Sequence, residues 1–148
     1  VVESNGLTLH LDKGSAKRAN GMKIDFETGD NPGIIIHNPN EPKGVQELSV
    51  TELKAALDSG EELALFDVRG EEEREIAAIE GSILLDQEGA ATLATLAKDT
   101  KVVFHCHHGG RSQRAAEHFL QQGYTDVYNL TGGIDAWSQE IDPTVSRY

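Results

Sequence analysis

Lys101-Val102-Val103-Phe104-His105-Cys106-His107-His108-Gly109-Gly110-Arg111-Ser112 reads as a strand, a tight loop and the start of a helix. The apolar run Val102–Phe104 suits a buried strand. Gly109 and Gly110 remove Cβ atoms and permit positive φ, so successive backbone N–H groups can converge on one point. Those groups merge with the unpaired N–H groups at the start of the next helix, whose dipole favours negative charge. Arg111 adds a permanent cation with a rigid fork of donors. A thiol at the mouth of such a loop is biased toward thiolate, the nucleophilic form. A helix N-terminus contributes only ~0.3–1 kcal/mol, so the loop amides and the guanidinium must supply the rest.

Working outward, Ser112 to Gln122 is helical, with Ala115, Ala116, Phe119 and Leu120 on one face and Gly123 as its stop. Before the loop, Ser49-Val50-Thr51-Glu52 is a capping box opening a helix that ends at Gly60. Leu63 to Val68 reads as a strand, Glu71 to Ile76 as a short surface helix, Ile83 to Leu85 as a strand and Ala90 to Lys98 as a helix. After the loop come a strand over Asp126–Leu130, then Gly132-Gly133 and a helix through Ala136 and Trp137. This alternation predicts an α/β fold with a central parallel sheet and helices on both faces. Ligands in such folds bind at the C-terminal ends of the strands, where the Cys106 loop lies.

Asn38-Pro39-Asn40-Glu41-Pro42-Lys43-Gly44 is turn-rich and marks a boundary between residues 1–44 and 45–148. The first part reads as a small β-rich extension, with strands over Leu7–Leu11, Met22–Phe26 and Gly33–His37. The whole chain of 148 residues carries a net charge of −12, of which −11 falls on residues 47–148. That balance argues against nucleic acid, which needs a basic stripe, and against an anionic membrane surface. Val1-Val2-Glu3-Ser4 has no basic n-region and no apolar h-region, so no signal peptide is expected. A first residue other than Met suggests processing or excision from a longer chain. Cys106 is the only cysteine, which excludes an intrachain disulfide and any Cys-x-x-Cys pair; a lone thiol points to the cytoplasm.

Four residues separate Cys106 from Arg111, which makes a small cradle. Tyrosine and dual-specificity phosphatases place five residues there, a loop fitted to phosphate. The shorter spacing disfavours phosphate and suits a sulfur atom carried on the cysteine. Residues 47–142 resemble single-domain rhodaneses, which are sulfurtransferases. The family's loop, Cys-x-x-Gly-x-Arg followed by Ser or Thr, is matched by Cys106–Ser112. Its Asp-Val-Arg element is matched by Asp67-Val68-Arg69, with Glu73 at the acidic position that follows. Its closing element is matched by Tyr128-Asn129-Leu130-Thr131-Gly132-Gly133-Ile134-Asp135-Ala136-Trp137. The usual Gly-His-Ile-Pro-Gly-Ala is here Ala77-Ala78-Ile79-Glu80-Gly81-Ser82.

The resemblance implies double displacement through a Cys106 persulfide. His107, His108, Gly109, Gly110, Arg111 and Ser112 would form the binding loop. Asp67, Arg69 and Glu73 would be structural supports, with Arg69 pairing Glu73. Arg111 either orients the donor or braces the loop. The implied partners are a small sulfur donor or a thiol- or protein-bound persulfide, and a thiol or cyanide acceptor. The acidic charge favours a persulfide donor over a small dianion. Neither cofactor nor metal is implied: the His105-Cys106-His107-His108 cluster lacks zinc spacing, and adjacent residues rarely point at one ion. Two other readings stand beside this one, a non-catalytic docking module and an arsenate reductase or phosphatase on the same fold.

Residues 1–44 are similar to the C-terminal half of A-type iron–sulfur carrier proteins, through Gly6–Asp12, Gly21–Phe26 and His37-Asn38-Pro39-Asn40. The carriers' Cys-Gly-Cys ligands are missing, so cluster binding does not carry over. The fragment suggests a glutaredoxin-like domain or an iron–sulfur assembly protein as a partner.

Overall fold

The computed structural model describes residues 2–4, 7–9, 20–27, 33–37, 39 and 43–148, and the chain divides into two compact units, 1–42 and 43–148. In the first unit, β1 (Val2–Ser4) pairs antiparallel with β2 (Leu7–Leu9). A second antiparallel pair joins β3 (Lys23–Glu27) to β4 (Gly33–His37), in register from Lys23–His37 to Glu27–Gly33. The sequence pattern missed β1, and the expected strand residues His10 and Leu11 lie outside the described residues.

The second unit runs β5 (Gln46–Leu48), α1 (Val50–Asp58), β6 (Ala64–Asp67), α2 (Glu71–Ile76), β7 (Ile83–Leu84), α3 (Gln87–Thr95), β8 (Val102–His105), α4 (Gly110–Gln121), β9 (Val127–Leu130), α5 (Gly133–Glu140). Its five strands form one sheet of order β5-β9-β8-β6-β7, and every pairing is parallel. The alternation of side chains along each strand splits the core in two. Leu65, Val103 and Leu130 face one cluster with Leu53, Ile134 and Trp137. Phe66, Phe104 and Val127 face the other, with Leu93, Ala116 and Tyr124. Both faces of the sheet are therefore covered, as an all-parallel sheet requires.

Local chemistry explains the helix boundaries. Ser49 caps α1: its hydroxyl accepts from the Glu52 N–H at 3.2 Å, and the Glu52 carboxylate accepts from the Ser49 N–H at 2.8 Å. This is the reciprocal arrangement expected of the capping box. α3 starts three residues earlier than expected, because the Asp86 side chain accepts from the Gly89 N–H at 2.8 Å and so caps the helix. α4 begins at Gly110 rather than Ser112. Gly110 and Arg111 thus belong to the helix, and their N–H groups are among its unpaired first-turn donors. β5 is absent from the expectation, being only three residues of mixed polarity.

The strand pairing also buries an unusual group. His105 lies opposite Asp67 in the sheet, is fully buried, and neither ring nitrogen has a well-formed hydrogen bond. Burial depresses its pKa to about 4, helped by the nearby Arg69 and Arg74 and only partly offset by Asp67. A depressed base destabilises the fold in acid, because the unfolded chain takes up the proton first. Stability should therefore fall as pH drops from about 6.5 toward about 4, with a loss of about 2 kcal/mol between pH 7 and pH 5. Denaturant midpoints at the two pH values check this; His105→Leu should flatten the difference.

Candidate active site

Cys106 leaves the C-terminal end of β8, the central strand of the sheet. Its side chain is 2% exposed. The Gly109 N–H donates to the sulfur at 3.1 Å, and it can do so because Gly109 turns the chain at φ +109°, a conformation that a side chain would strain. The Ser112 hydroxyl lies 3.4 Å from the sulfur. Burial pushes the thiol up. Hydrogen bonds from the Ser112 hydroxyl and from the amides of Ser112, Gly109 and Arg111 outweigh it and hold the group below the ordinary thiol range. The hydroxyl has a single proton, however, and also lies 2.7 Å from the Asn129 amide oxygen. Asn129 is oriented that way because its Nδ2 donates to Glu47 at 3.3 Å. The shorter contact holds the proton, which leaves the backbone amides as the main support of the sulfur.

What keeps those amides turned inward lies behind the loop. The carbonyls of Cys106 and His107 accept from the N–H groups of Ile134 and Asp135 at 2.9 and 3.1 Å. These donors belong to the first turn of α5, so one helix end fixes the loop's carbonyls while another supplies its amides. Gly133 makes the approach possible. Its φ is +58°, and a Cβ there would overlap the carbonyl oxygens of Cys106 and His107. In the sequence, the signal for this approach is the place of Gly132-Gly133 in the closing motif. Gly133→Ala should destabilise the domain by about 3 kcal/mol or more and raise the Cys106 pKa, measured by thermal unfolding and by the pH profile of thiol alkylation.

The supports pair differently from expectation. Arg69 does not bind the Glu73 carboxylate. It grips Asp67 through two bonds, at 2.9 and 2.6 Å, and donates to the Ala77 carbonyl at 2.7 Å. Both charged side chains are fully buried, and partners two residues apart at a strand end satisfy each other before any distant group can. Burial pushes Asp67 up, but the Arg69 hydrogen bonds bring it below the usual carboxylate range. Glu73 instead takes both ends of the Arg111 guanidinium, at 2.7 and 2.8 Å. That bidentate contact is the largest cause of a Glu73 pKa lowered to about 2. Arg111 is thus tied to α2.

The remaining candidates line the rim. The His107 and His108 rings stack at 4.0 Å, and His107 stacks on Tyr148 at 4.3 Å with 6° between the planes. His108 is exposed and lies 3.9 Å from Asp135. Burial lowers the His107 pKa, with the His108 ring adding to the effect. Tyr148 has no motif around it in the sequence and was missed. Among the described residues, no group of three or more His, Cys, Asp or Glu is placed to hold a metal ion. Likewise, no helix among them is long and apolar enough to cross a membrane.

Residues 49–140 match the model of the Rhodanese-like domain family. The chain belongs to the rhodanese-like family. A probable adenylyltransferase/sulfurtransferase MoeZ from Mycobacterium tuberculosis is 32% identical over 119 residues, covering 78% of this chain and 30% of that protein. This chain therefore spans under a third of that relative's length. Thiosulfate sulfurtransferase GlpE from Pseudomonas aeruginosa is 38% identical over 74 residues, 49% of this chain and 67% of the relative. Among solved structures, the human single-domain sulfurtransferase TSTD1 superposes with a TM-score of 0.56 at 29% identity, covering 66% of this chain and 98% of that one. The rhodanese-like fold expected from the three motifs across residues 47–142 is thus the fold of residues 43–148. The family match leaves out residues 1–44, and the A-type carrier resemblance gains no support from it.

Proposed function

We propose that this rhodanese-like domain is a sulfurtransferase that carries a sulfane sulfur on Cys106. The observation that carries the reading is the depressed thiol inside the amide ring, with Gly109 N–H 3.1 Å from its sulfur. The Cys106 thiolate attacks the outer sulfur of a donor RS–S⁻; a new Sγ–S bond forms, the donor's S–S bond breaks, and RS⁻ leaves. An acceptor thiolate then attacks the outer sulfur, takes it as a persulfide and restores the Cys106 thiolate. The amides stabilise the anionic sulfur in both steps, the role that preorganised donors play in an oxyanion hole. Incubation with polysulfide should add the mass of one sulfur to Cys106, removable by cyanide. Mass spectrometry checks this, with Cys106→Ser as the null; a wild-type protein that never gains the sulfur overturns the reading.

The donor follows from how the charges pair. Arg111 is tied to Glu73, Arg69 to Asp67 and Arg147 to Asp135. Each of these permanent cations thus faces a carboxylate, and the chain as a whole is acidic. A thiol-bound or protein-bound persulfide, with one negative charge at its reactive end, suits that rim better than thiosulfate. GlpE is named for thiosulfate, so the contrast is measurable. Donor kinetics at two ionic strengths should give a higher kcat/KM for an alkyl persulfide with no other charge than for thiosulfate, and the thiosulfate rate should rise with salt. Clear preference for thiosulfate contradicts this assignment. A persulfide-carrying thiol suits the reducing cytoplasm, with a thiol, a glutaredoxin-like domain or an iron–sulfur assembly protein as acceptor.

A further inference from the structure

Tyr148 touches both arms of the cysteine loop. Its ring lies flat on His107, the residue after the nucleophile, at 4.3 Å. Its hydroxyl donates to Glu73 Oε1 at 2.8 Å and accepts from Arg69 Nη1 at 2.8 Å. Glu73 is the carboxylate that holds Arg111 at the other end of the loop. One phenol therefore links the Cys106 side of the cradle to the Arg111 side. The segment that carries it is fixed independently: Arg147 makes two bonds to Asp135, at 2.8 and 3.4 Å, and Asp135 sits on α5 behind the loop.

We propose that Tyr148 is a specificity-determining residue, a strap across the mouth of the sulfur site that sets how wide a donor can reach Cys106. A slender donor reaches the thiolate with the ring in place. A wide one, such as the cysteine persulfide of a folded protein, needs the ring lifted from His107 and the hydroxyl released from Glu73 and Arg69. The contacts that hold it are one stacked aromatic pair and two hydrogen bonds to charged groups, strong enough to favour closure and weak enough to be displaced by a docking partner. Any such partner would compete with Tyr148 for His107, Glu73 and Arg69.

This deepens the sulfurtransferase reading and rests on it only for donor kinetics, so the first test avoids turnover. Cys106 in the full chain is alkylated with iodoacetamide and with a bulky maleimide-polyethylene glycol, and the ratio of the two rates is taken. Tyr148→Ala should raise the bulky-to-slender ratio by roughly tenfold, the change expected on losing a stacked ring and a charge-assisted hydrogen bond. Arg147→Ala, which removes only the neighbouring anchor on Asp135, should raise it in the same direction by a smaller factor. Tyr148→Phe keeps the ring and loses the hydroxyl, and should fall between wild type and Tyr148→Ala. If all three variants keep the wild-type ratio while remaining folded by circular dichroism, the strap is refuted. In the donor assay, Tyr148→Ala should lower KM for a protein-borne persulfide and leave KM for a small persulfide within about twofold. Equal effects on both donors would also overturn the proposal. Should the chain transfer no sulfur at all, the alkylation ratio still decides the strap.

Discussion

The site depends on the direction in which one short stretch of backbone faces. The peptide units after Cys106 have their N–H groups toward the sulfur and their carbonyls away from it, and this orientation is held from behind by the Ile134 and Asp135 amides. Gly109 and Gly133 provide the two left-handed turns that allow it. Two helix N-termini thus act on one loop with opposite effect. α4 offers its free donors to the anion, and α5 spends its own on the loop's carbonyls. Neither end would be useful to the sulfur if the strands did not deliver both to the same edge of the sheet.

Around that loop carboxylates hold the permanent cations: Asp67 binds both Arg69 and Arg74, and Glu73 binds Arg111. Asp67 with Arg69 lies inside the domain and ties the end of β6 to the Ala77 carbonyl. Glu73 with Arg111 lies at the surface and joins α2 to α4. Such pairs add little net stability when exposed, and the buried one is costly to break rather than strongly favourable to form. Their effect here is geometric, since each bidentate contact fixes an orientation as well as a distance. The Cys106 sulfur is consequently surrounded by dipoles that cannot diffuse away.

Much of this was legible in the residues. The run from Lys101 to Ser112 carries the strand, the turn and the helix, and its glycines point to backbone amides turned on the thiol, as the Gly109 N–H is. The capping box at Ser49 and Glu52 formed as written, because both partners are local. What escaped the sequence is non-local or polar. β5 pairs with β9, more than eighty residues away, and its three residues have no periodicity of their own. The expected pairing of Arg69 with Glu73 gives way to two others, because Asp67 takes Arg69 and Arg111 reaches Glu73 from across the fold. Asn129 stands in the closing motif, but its bond to Ser112 arises only through tertiary packing, and no local pattern announces Tyr148, which stacks on His107.

The sheet's margins carry a last implication. Its outer strands are β5, with three residues, and β7, with two, while the longer apolar strands β6, β8 and β9 lie inside. A neighbouring chain seeking to extend the ladder would find only a few rungs on either border before the strand direction is lost. Brief borders of this kind deny a template for cross-chain stacking. The domain can thus keep three strongly β-forming segments in a crowded solution without offering a seed for fibrils.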